Sequence, residues 1–156
     1  MAIDLDRIQR ELADFEFVDF HGGVPDEKIL AAERAVGVSF GPEYRQFLRI
    51  FGAGAVSSEE FIGLGGPPHL DVVTIVKHLR SPSAHFSFPT TLVPLRNDGY
   101  GNYDCLDTAQ DDAEMGPKVV FWQHDGGDQQ DCPVLNRSYG TWLLATLAMI
   151  RELDAE

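Results

Sequence analysis

Apolar residues recur three or four positions apart through the first third of the chain. Residues 4–15, 25–37 and 42–52 each carry such a stripe, the pattern of a helix with one buried face, and only Glu33 interrupts it. Prolines near the start of the second and third segments and glycines at their ends are typical of helix boundaries. Three N-terminal helices are therefore predicted, with stripes formed by Leu5, Ile8, Leu12 and Phe15; by Ile29, Ala32 and Val36; and by Tyr44, Phe47, Leu48 and Phe51.

The middle of the chain changes to short apolar pieces separated by glycines. Residues 53–66 contain two such pieces and predict two short strands with a turn. Residues 71–80 are rich in β-branched side chains, which are typical of a strand, yet their apolar positions also fit a helix capped by Asp71. We favour the helix. Segments 16–23 and 81–91 are predicted to be irregular.

From residue 92 onward the pattern is typical of strands, until a polar loop at 124–133 and an amphipathic helix over 138–153. The predicted strands are LVPL (92–95), YDCLDT (103–108) and KVVFWQ (118–123). The last of these is almost continuously apolar, which indicates a central strand. We predict a single α+β domain over residues 1–156, with a central, mostly antiparallel sheet flanked by N-terminal helices and a C-terminal helix.

Charge narrows the classes of partner. The formal net charge is −13, and residues 97–131 contain nine acidic residues against Lys118 alone, a local charge of −8. A field of this sign repels phosphate backbones, so direct binding to nucleic acid or an anionic membrane is disfavoured. A basic protein or a cation is the expected partner. The alternative, that the acidity only maintains solubility, stays open.

Three features that the sequence lacks bear on the location of the protein and on the redox state of its cysteines. No apolar run approaches the roughly 20 residues that a membrane helix needs. The N-terminal stretch MAIDLDRIQREL is acidic and amphipathic, unlike a signal or transit peptide. Cys105 and Cys132 form no CxxC pair or disulfide framework, which is typical of free thiols. We expect a cytoplasmic protein with no membrane partner.

The densest polar stretch, NDGYGNYDCLD (97–107), poses the question of a metal or catalytic site. It lacks the spacing of an EF-hand loop, and the five histidines form no zinc motif. No GxSxG motif or phosphate loop is present, so we predict no catalytic residues, metal or cofactor. Aspartates at strand ends more often bond turn amides than catalyse. A carboxylate-based hydrolase is the less favoured alternative, with candidate residues Asp98, Asp104, Asp107, Asp125 and His124.

The same acidic segments have the composition of a protein interface. Aromatic side chains can anchor a partner while carboxylates attract its basic groups. Trp122 is assigned to the core, because aromatic residues in near-continuous apolar strands are usually buried. Leu106 is also expected in the core, and Asp107 is expected to bond a turn. The predicted partner-binding residues are Asp98, Tyr100, Asn102, Asp104, Asp125, Asp128 and Asp131.

Four blocks of sequence occur in an order that is characteristic of one family. They are PDEKILAAERAVGVSFGPEYRQFLRIFGAGAV with FIGLG, then LVPLRNDGYGNYDCLDT, KVVFWQHDGG and SYGTWLLATLA. Together they cover about residues 24–148 and resemble the SUKH superfamily, the group related to yeast cell-wall assembly regulators. Ala53 stands where the family has an asparagine, Asn102 where aspartate is commoner, and Gly41 rather than an apolar residue precedes Pro42. These differences affect local turns and leave the subfamily open.

The resemblance implies a compact α+β domain without catalytic machinery. Many bacterial members are immunity proteins that bind and neutralise a cognate toxin, often a nuclease. A nuclease holds a phosphate backbone with a basic face, and an acidic inhibitor places carboxylates where phosphates would lie. The expected function is therefore a non-enzymatic immunity protein acting through its acidic surface. The alternative is a regulatory or scaffold domain that binds an endogenous partner, and the oligomeric state stays open.

Overall fold

The computed structural model describes residues 2–85 and 87–156, and these form five α-helices and seven β-strands. The helices are α1 Leu5–Leu12, α2 Asp26–Val36, α3 Gly41–Ile50, α4 Val72–Arg80 and α5 Tyr139–Ala155. The strands are β1 Val18–Phe20, β2 Gly54–Val56, β3 Glu59–Phe61, β4 Leu92–Asn97, β5 Tyr103–Asp112, β6 Gly116–Trp122 and β7 Val134–Asn136. The predicted α+β class and all five predicted helices are confirmed.

Local signals explain where several helices begin and end. Asp4 accepts a hydrogen bond from the backbone N–H of Arg7 at 3.2 Å, and Asp71 accepts one from Thr74 at 2.9 Å. Both are N-cap interactions, which satisfy backbone donors that the first turn leaves without partners. Gly37 ends α2 in the left-handed conformation with φ +88°, as the sequence predicts. The segment 71–80, for which the sequence allowed a helix or a strand, therefore forms a helix, capped by Asp71.

The strands form two antiparallel sheets. The order is β1-β2-β3 in one and β4-β5-β6-β7 in the other, and the backbone N–H of Ile62 donates to the carbonyl of Leu95 at 3.0 Å to connect them. The four-stranded sheet contains the three predicted strands, with β5 and β6 at its centre. The prediction of an irregular segment at 16–23 is wrong for Val18–Phe20, which pairs with β2.

Aromatic side chains join α3 and α5 in the core. Tyr44, Phe47 and Leu48 are fully buried, which confirms the predicted stripe of α3. The rings of Tyr44 and Tyr139 lie 5.0 Å apart between centroids, a distance typical of favourable aromatic pairs. The hydroxyl of Tyr44 donates to the carbonyl of Ile62 at 3.0 Å, so this buried polar group is satisfied. Burial raises the pKa of Tyr44 and keeps the hydroxyl protonated.

Two buried glutamates bind backbone groups where helices begin. Glu33, which interrupts the stripe of α2, accepts from the N–H of Phe40 at 2.7 Å and pairs with Arg45 at 2.7 Å. Glu43 accepts from the N–H of Gly140 in the first turn of α5 at 3.1 Å. A carboxylate at a helix N-terminus is favoured by the helix dipole and by the unpaired amides there.

Among the described residues, no helix is both long and apolar enough to cross a bilayer.

Candidate functional site

The turn between β4 and β5 is organised by its own aspartate. Asp98 Oδ1 accepts hydrogen bonds from the backbone N–H groups of Tyr100 at 2.8 Å and Asn102 at 3.1 Å, and Oδ2 accepts from Asn102 Nδ2 at 2.9 Å. Gly99 and Gly101 adopt φ values of +91° and +89°, which other residues rarely reach without strain. The turn is therefore held in one shape by a side chain that the sequence predicts to contact a partner.

Asp98 is stabilised in its charged form. Partial burial by itself raises its pKa, but hydrogen bonds from the Asn102 side chain and from the amides of Tyr100 and Asn102, together with the charge of Arg96, outweigh that effect. The pKa of Asp98 consequently lies below its usual value. The turn therefore presents a negative charge throughout the physiological pH range.

Asn102 joins this turn to the loop that follows β6. Its Oδ1 accepts from the backbone N–H of His124 at 3.1 Å and from the ring Nδ1 of His124 at 2.9 Å. Because the amide group of Asn102 donates to Asp98, its oxygen faces His124, and His124 carries a proton on Nδ1. The pairing of Tyr103 with Trp122 places both loops at the same end of the sheet.

The loop after β6 is closed by a glutamine. Gln130 Nε2 donates to the carbonyls of Gln123 at 2.8 Å and Gly127 at 3.2 Å, while its Oε1 accepts from the N–H of Gln123 at 3.1 Å. A side chain that binds backbone groups on both sides of a loop restricts the conformations the loop can adopt. Residues 123–130 therefore form an ordered loop that carries acidic side chains.

The exposed members of the predicted set fall into two places on the surface. The ring of Tyr100 is 82% exposed, and Asp125 and Asp128 are exposed in the loop that contacts Asn102. Asp131 is also exposed, but it borders a separate hollow of about 290 Å³ that Asp107 also lines. Tyr100, Asp125 and Asp128 therefore belong to the surface formed by the Asp98 turn and the loop that Asn102 contacts. Asp131 belongs to another part of the surface.

The prediction that Asp104 contacts a partner is wrong. It is 5% exposed, and its Oδ2 accepts from the indole Nε1 of Trp142 at 3.0 Å and from Arg96 Nε at 3.3 Å. Alternate residues of β5 face opposite sides of the sheet, and Asp104 shares the inner side with the fully buried Leu106. Asp104 is therefore unavailable to a partner.

The core predictions for two nearby residues are confirmed. Leu106 and Trp122 are fully buried in the core. Asp107 Oδ1 accepts from the backbone N–H of Ala109 at 3.0 Å, and its Oδ2 accepts from Gln110 Nε2 at 2.8 Å. Asp107 is predicted to bond a turn, but both partners lie within β5, where the pairing with β6 shifts register between Asp107 and Asp111. Asp107 therefore serves the conformation of β5.

Two acidic residues that the sequence reasoning missed lie next to the Asp98 turn. Glu59 and Glu60 begin β3, and together with Asp98 they line one cleft. The adjacent acids are visible in the sequence, but their proximity to Asp98 depends on how the two sheets meet. Arg96 Nη1 binds Glu59 at 2.8 Å across that junction. The acidic surface is therefore wider than the sequence indicates.

Reactive thiols and clustered metal ligands are two further features that a functional site can have. Cys105 and Cys132 are free thiols, and burial above all raises the pKa of both, which disfavours the reactive thiolate. Across residues 2–85 and 87–156, no group of three or more His, Cys, Asp or Glu side chains is arranged to hold a metal ion.

Comparison with known proteins identifies the family. A protein-family model, SUKH_5, described as SMI1-KNR4 cell-wall, matches residues 5–144. The match begins earlier than the predicted core of about 24–148, since it includes α1, and ends four residues before it. A crystal structure of a protein from Pseudomonas syringae pv. tomato covers 91% of this chain and 95% of its own, with 17% identity and a TM-score of 0.60, and so shares the fold. A search of curated proteins gives no match. Because the family model spans most of the chain, the protein belongs to the SUKH_5 family of the SMI1-KNR4 cell-wall group.

Proposed function

We propose that this protein is a non-enzymatic immunity protein that binds and neutralises a cognate bacterial toxin through the surface formed by residues 97–102 and 123–128. A nuclease is the favoured class of toxin, because an enzyme that holds a phosphate backbone carries a basic face. The observation that carries the proposal is the contact of Asn102 with His124 at 2.9–3.1 Å, which joins two acidic loops.

The properties of this surface support binding of a basic protein. Tyr100 offers a large exposed ring, which loses little conformational freedom on binding, in the turn that Asn102 joins to the loop of Asp125 and Asp128. Both loops are held by internal hydrogen bonds, so ordering them costs little at association. Membership of a family that includes immunity proteins supports the same function.

The proposal is tested by growth rescue and direct binding. The product of the neighbouring gene is expressed as a toxin, with and without this protein, and the complex is isolated from the same cells. The double variant Asp125→Asn/Asp128→Asn should rescue growth poorly and bind more weakly, while its melting temperature stays that of the wild type, because both side chains are exposed.

The matched control removes the same charge elsewhere. Asp14→Asn/Glu16→Gln changes two exposed acids between α1 and β1. This control should rescue growth like the wild type. Equal rescue by the two double variants would exclude residues 123–128 from the binding surface, and absence of any complex with the toxin would refute the immunity function.

A regulatory or scaffold domain with an endogenous partner is the second candidate. The description of the matched family as SMI1-KNR4 cell-wall favours it. The same pull-down separates the two functions: a housekeeping protein recovered through Tyr100 and Asp125, with no toxicity to be rescued, would support the regulatory function.

A further inference from the structure

A cleft of about 570 Å³ lies beside the Asp98 turn, where the two sheets meet. One wall is the start of β3, another is the 3-10 turn Pro68–Leu70 with α4, and the third is the turn 97–101. The cleft therefore adjoins the proposed binding surface and is built from three separate parts of the chain.

The lining of the cleft is negatively charged. It includes the carboxylates of Glu59, Glu60 and Asp98, and no lysine or arginine of the described chain lines it. Arg96 binds Glu59 from beneath at 2.8 Å, but it also binds Asp104, so one positive charge is shared between two carboxylates. Three carboxylates therefore line the cleft, and Arg96 beneath them is the cation that they share with Asp104.

Glu60 is the carboxylate most available to a ligand. Its side chain is 53% exposed, and its Oε2 binds His69 Nε2 at 2.8 Å, while its Oε1 accepts no hydrogen bond from the described residues. Asp98 uses both oxygens within its own turn, but its Oδ2 accepts only one hydrogen bond from the described residues and can accept another. Each carboxylate oxygen can accept two hydrogen bonds, so Glu60 retains capacity for a donor from outside.

The inner part of the cleft is apolar. Ile62, Leu70 and Ile75 contribute aliphatic surface, and none of them is more than 9% exposed. The ring of Tyr103 also lines the cleft, with its hydroxyl bound by Asn97 Nδ2 at 3.1 Å. A small anion or a hydrated metal ion does not use such a surface, whereas a long side chain with methylene groups and a cationic end does.

We propose that this cleft receives an arginine side chain of a protein partner, with the guanidinium at Glu60 and Asp98 and the stem against Ile62 and Ile75. Arginine fits because its planar cation binds carboxylates through several donors and also stacks on an aromatic ring such as Tyr103. The inference rests on the proposed function only in taking the partner to be a basic protein.

The test uses an arginine probe and needs no toxin. Amide chemical shifts of the ¹⁵N-labelled full chain are followed during titration with N-acetyl-arginine amide and, separately, with N-acetyl-citrulline amide, which has the same shape without the charge. The arginine probe should shift the amides of Ser58, Gly99 and Gly101 saturably, and citrulline should shift them far less.

Two variants with equal loss of charge localise the effect. Glu60→Gln should weaken binding of the arginine probe by about threefold, the size of one exposed ion pair. Asp128→Asn, which removes an exposed charge from the other loop, should leave it unchanged. Equal shifts with citrulline, shifts spread over residues 124–131, or equal weakening by the two variants would each overturn the cleft as an arginine site.

The outcome is separable from that of the proposed function. If toxin rescue succeeds and the arginine titration fails, the cleft proposal alone is wrong. If the titration succeeds and no toxin is bound, the cleft serves another basic partner.

Discussion

Asp104 lies beneath the acidic surface, with its carboxylate shared between Trp142 and Arg96. Arg96 also binds Glu59, so the network connects β5 and α5 to the three-stranded sheet. Charges this deep are tolerated when each has a partner and are costly when one partner is lost. Asp104 and Arg96 therefore support the surface from below, and of this network only Glu59 lines the cleft.

Replacing Asp104 should test this structural role. Asp104→Asn keeps the shape of the side chain but leaves Arg96 with one carboxylate instead of two, and we expect the free energy of unfolding to fall by about 2 kcal/mol. Urea denaturation measures the change. Asp111→Asn, at an exposed position of the same strand, is the control, and equal stability of the two variants would contradict the assignment.

The acid dependence of stability should reveal the low pKa of Asp98. A folded-state pKa below the unfolded value contributes stability that is fully present above the unfolded pKa and is lost as the pH falls through the folded one. The stability difference between the wild type and Asp98→Asn should therefore shrink as the pH is lowered below about 4. Denaturation at several pH values measures it, and a constant difference would be inconsistent with this explanation.

The contact between Asn102 and His124, which joins the two loops, depends on the glycine at position 101. A Cβ at Gly101 would lie 3.1 Å from His124 Nδ1, whereas a Cβ at Gly99 would have no neighbour within 4 Å. Both residues have φ near +90°, so alanine strains the backbone similarly at each. Only the first substitution also displaces the ring of His124.

We expect Gly101→Ala to loosen the loop after β6 and Gly99→Ala to leave it intact. The amide of His124, which donates to Asn102, should exchange with solvent about fivefold faster in Gly101→Ala than in Gly99→Ala, the effect of weakening one hydrogen bond. Hydrogen exchange by NMR measures the rates. Identical exchange in both variants would show that the contact does not hold the loop.

Helices and strands differ in how directly the sequence reveals them. The stripes of α2 and α3 and their terminal glycines predict both helices, since each signal lies within a few residues of its effect. Strands β1 and β7 are not predicted from the sequence, because their conformation depends on pairing with β2 and β6, which lie far from them or across a loop in the chain. Glu33 interrupts its stripe because the backbone of Phe40 needs an acceptor there.

The net charge of −13 is a property of the whole protein, and it should govern the rate at which the protein associates with a basic partner. Electrostatic attraction accelerates encounter with a basic partner and is screened by salt, so we expect the association rate constant to fall by about tenfold between low and high salt. The dissociation rate should change much less, because it depends on short-range contacts. Stopped-flow mixing over a range of salt concentrations measures both, and an association rate independent of salt would contradict steering.

The sequence by itself determined the α+β class, the helices and central strands, the family resemblance and the acidity of residues 97–131, because each depends on local spacing, motif order or a count of charges. Only the tertiary structure decided which acids reach the surface. Asp98 and Asp104 stand six residues apart and look alike in the sequence, yet one holds an exposed turn and the other binds Trp142 in the core. The cause is long-range packing: α5 approaches one face of β5, and the meeting of two sheets brings Glu60 to the Asp98 turn.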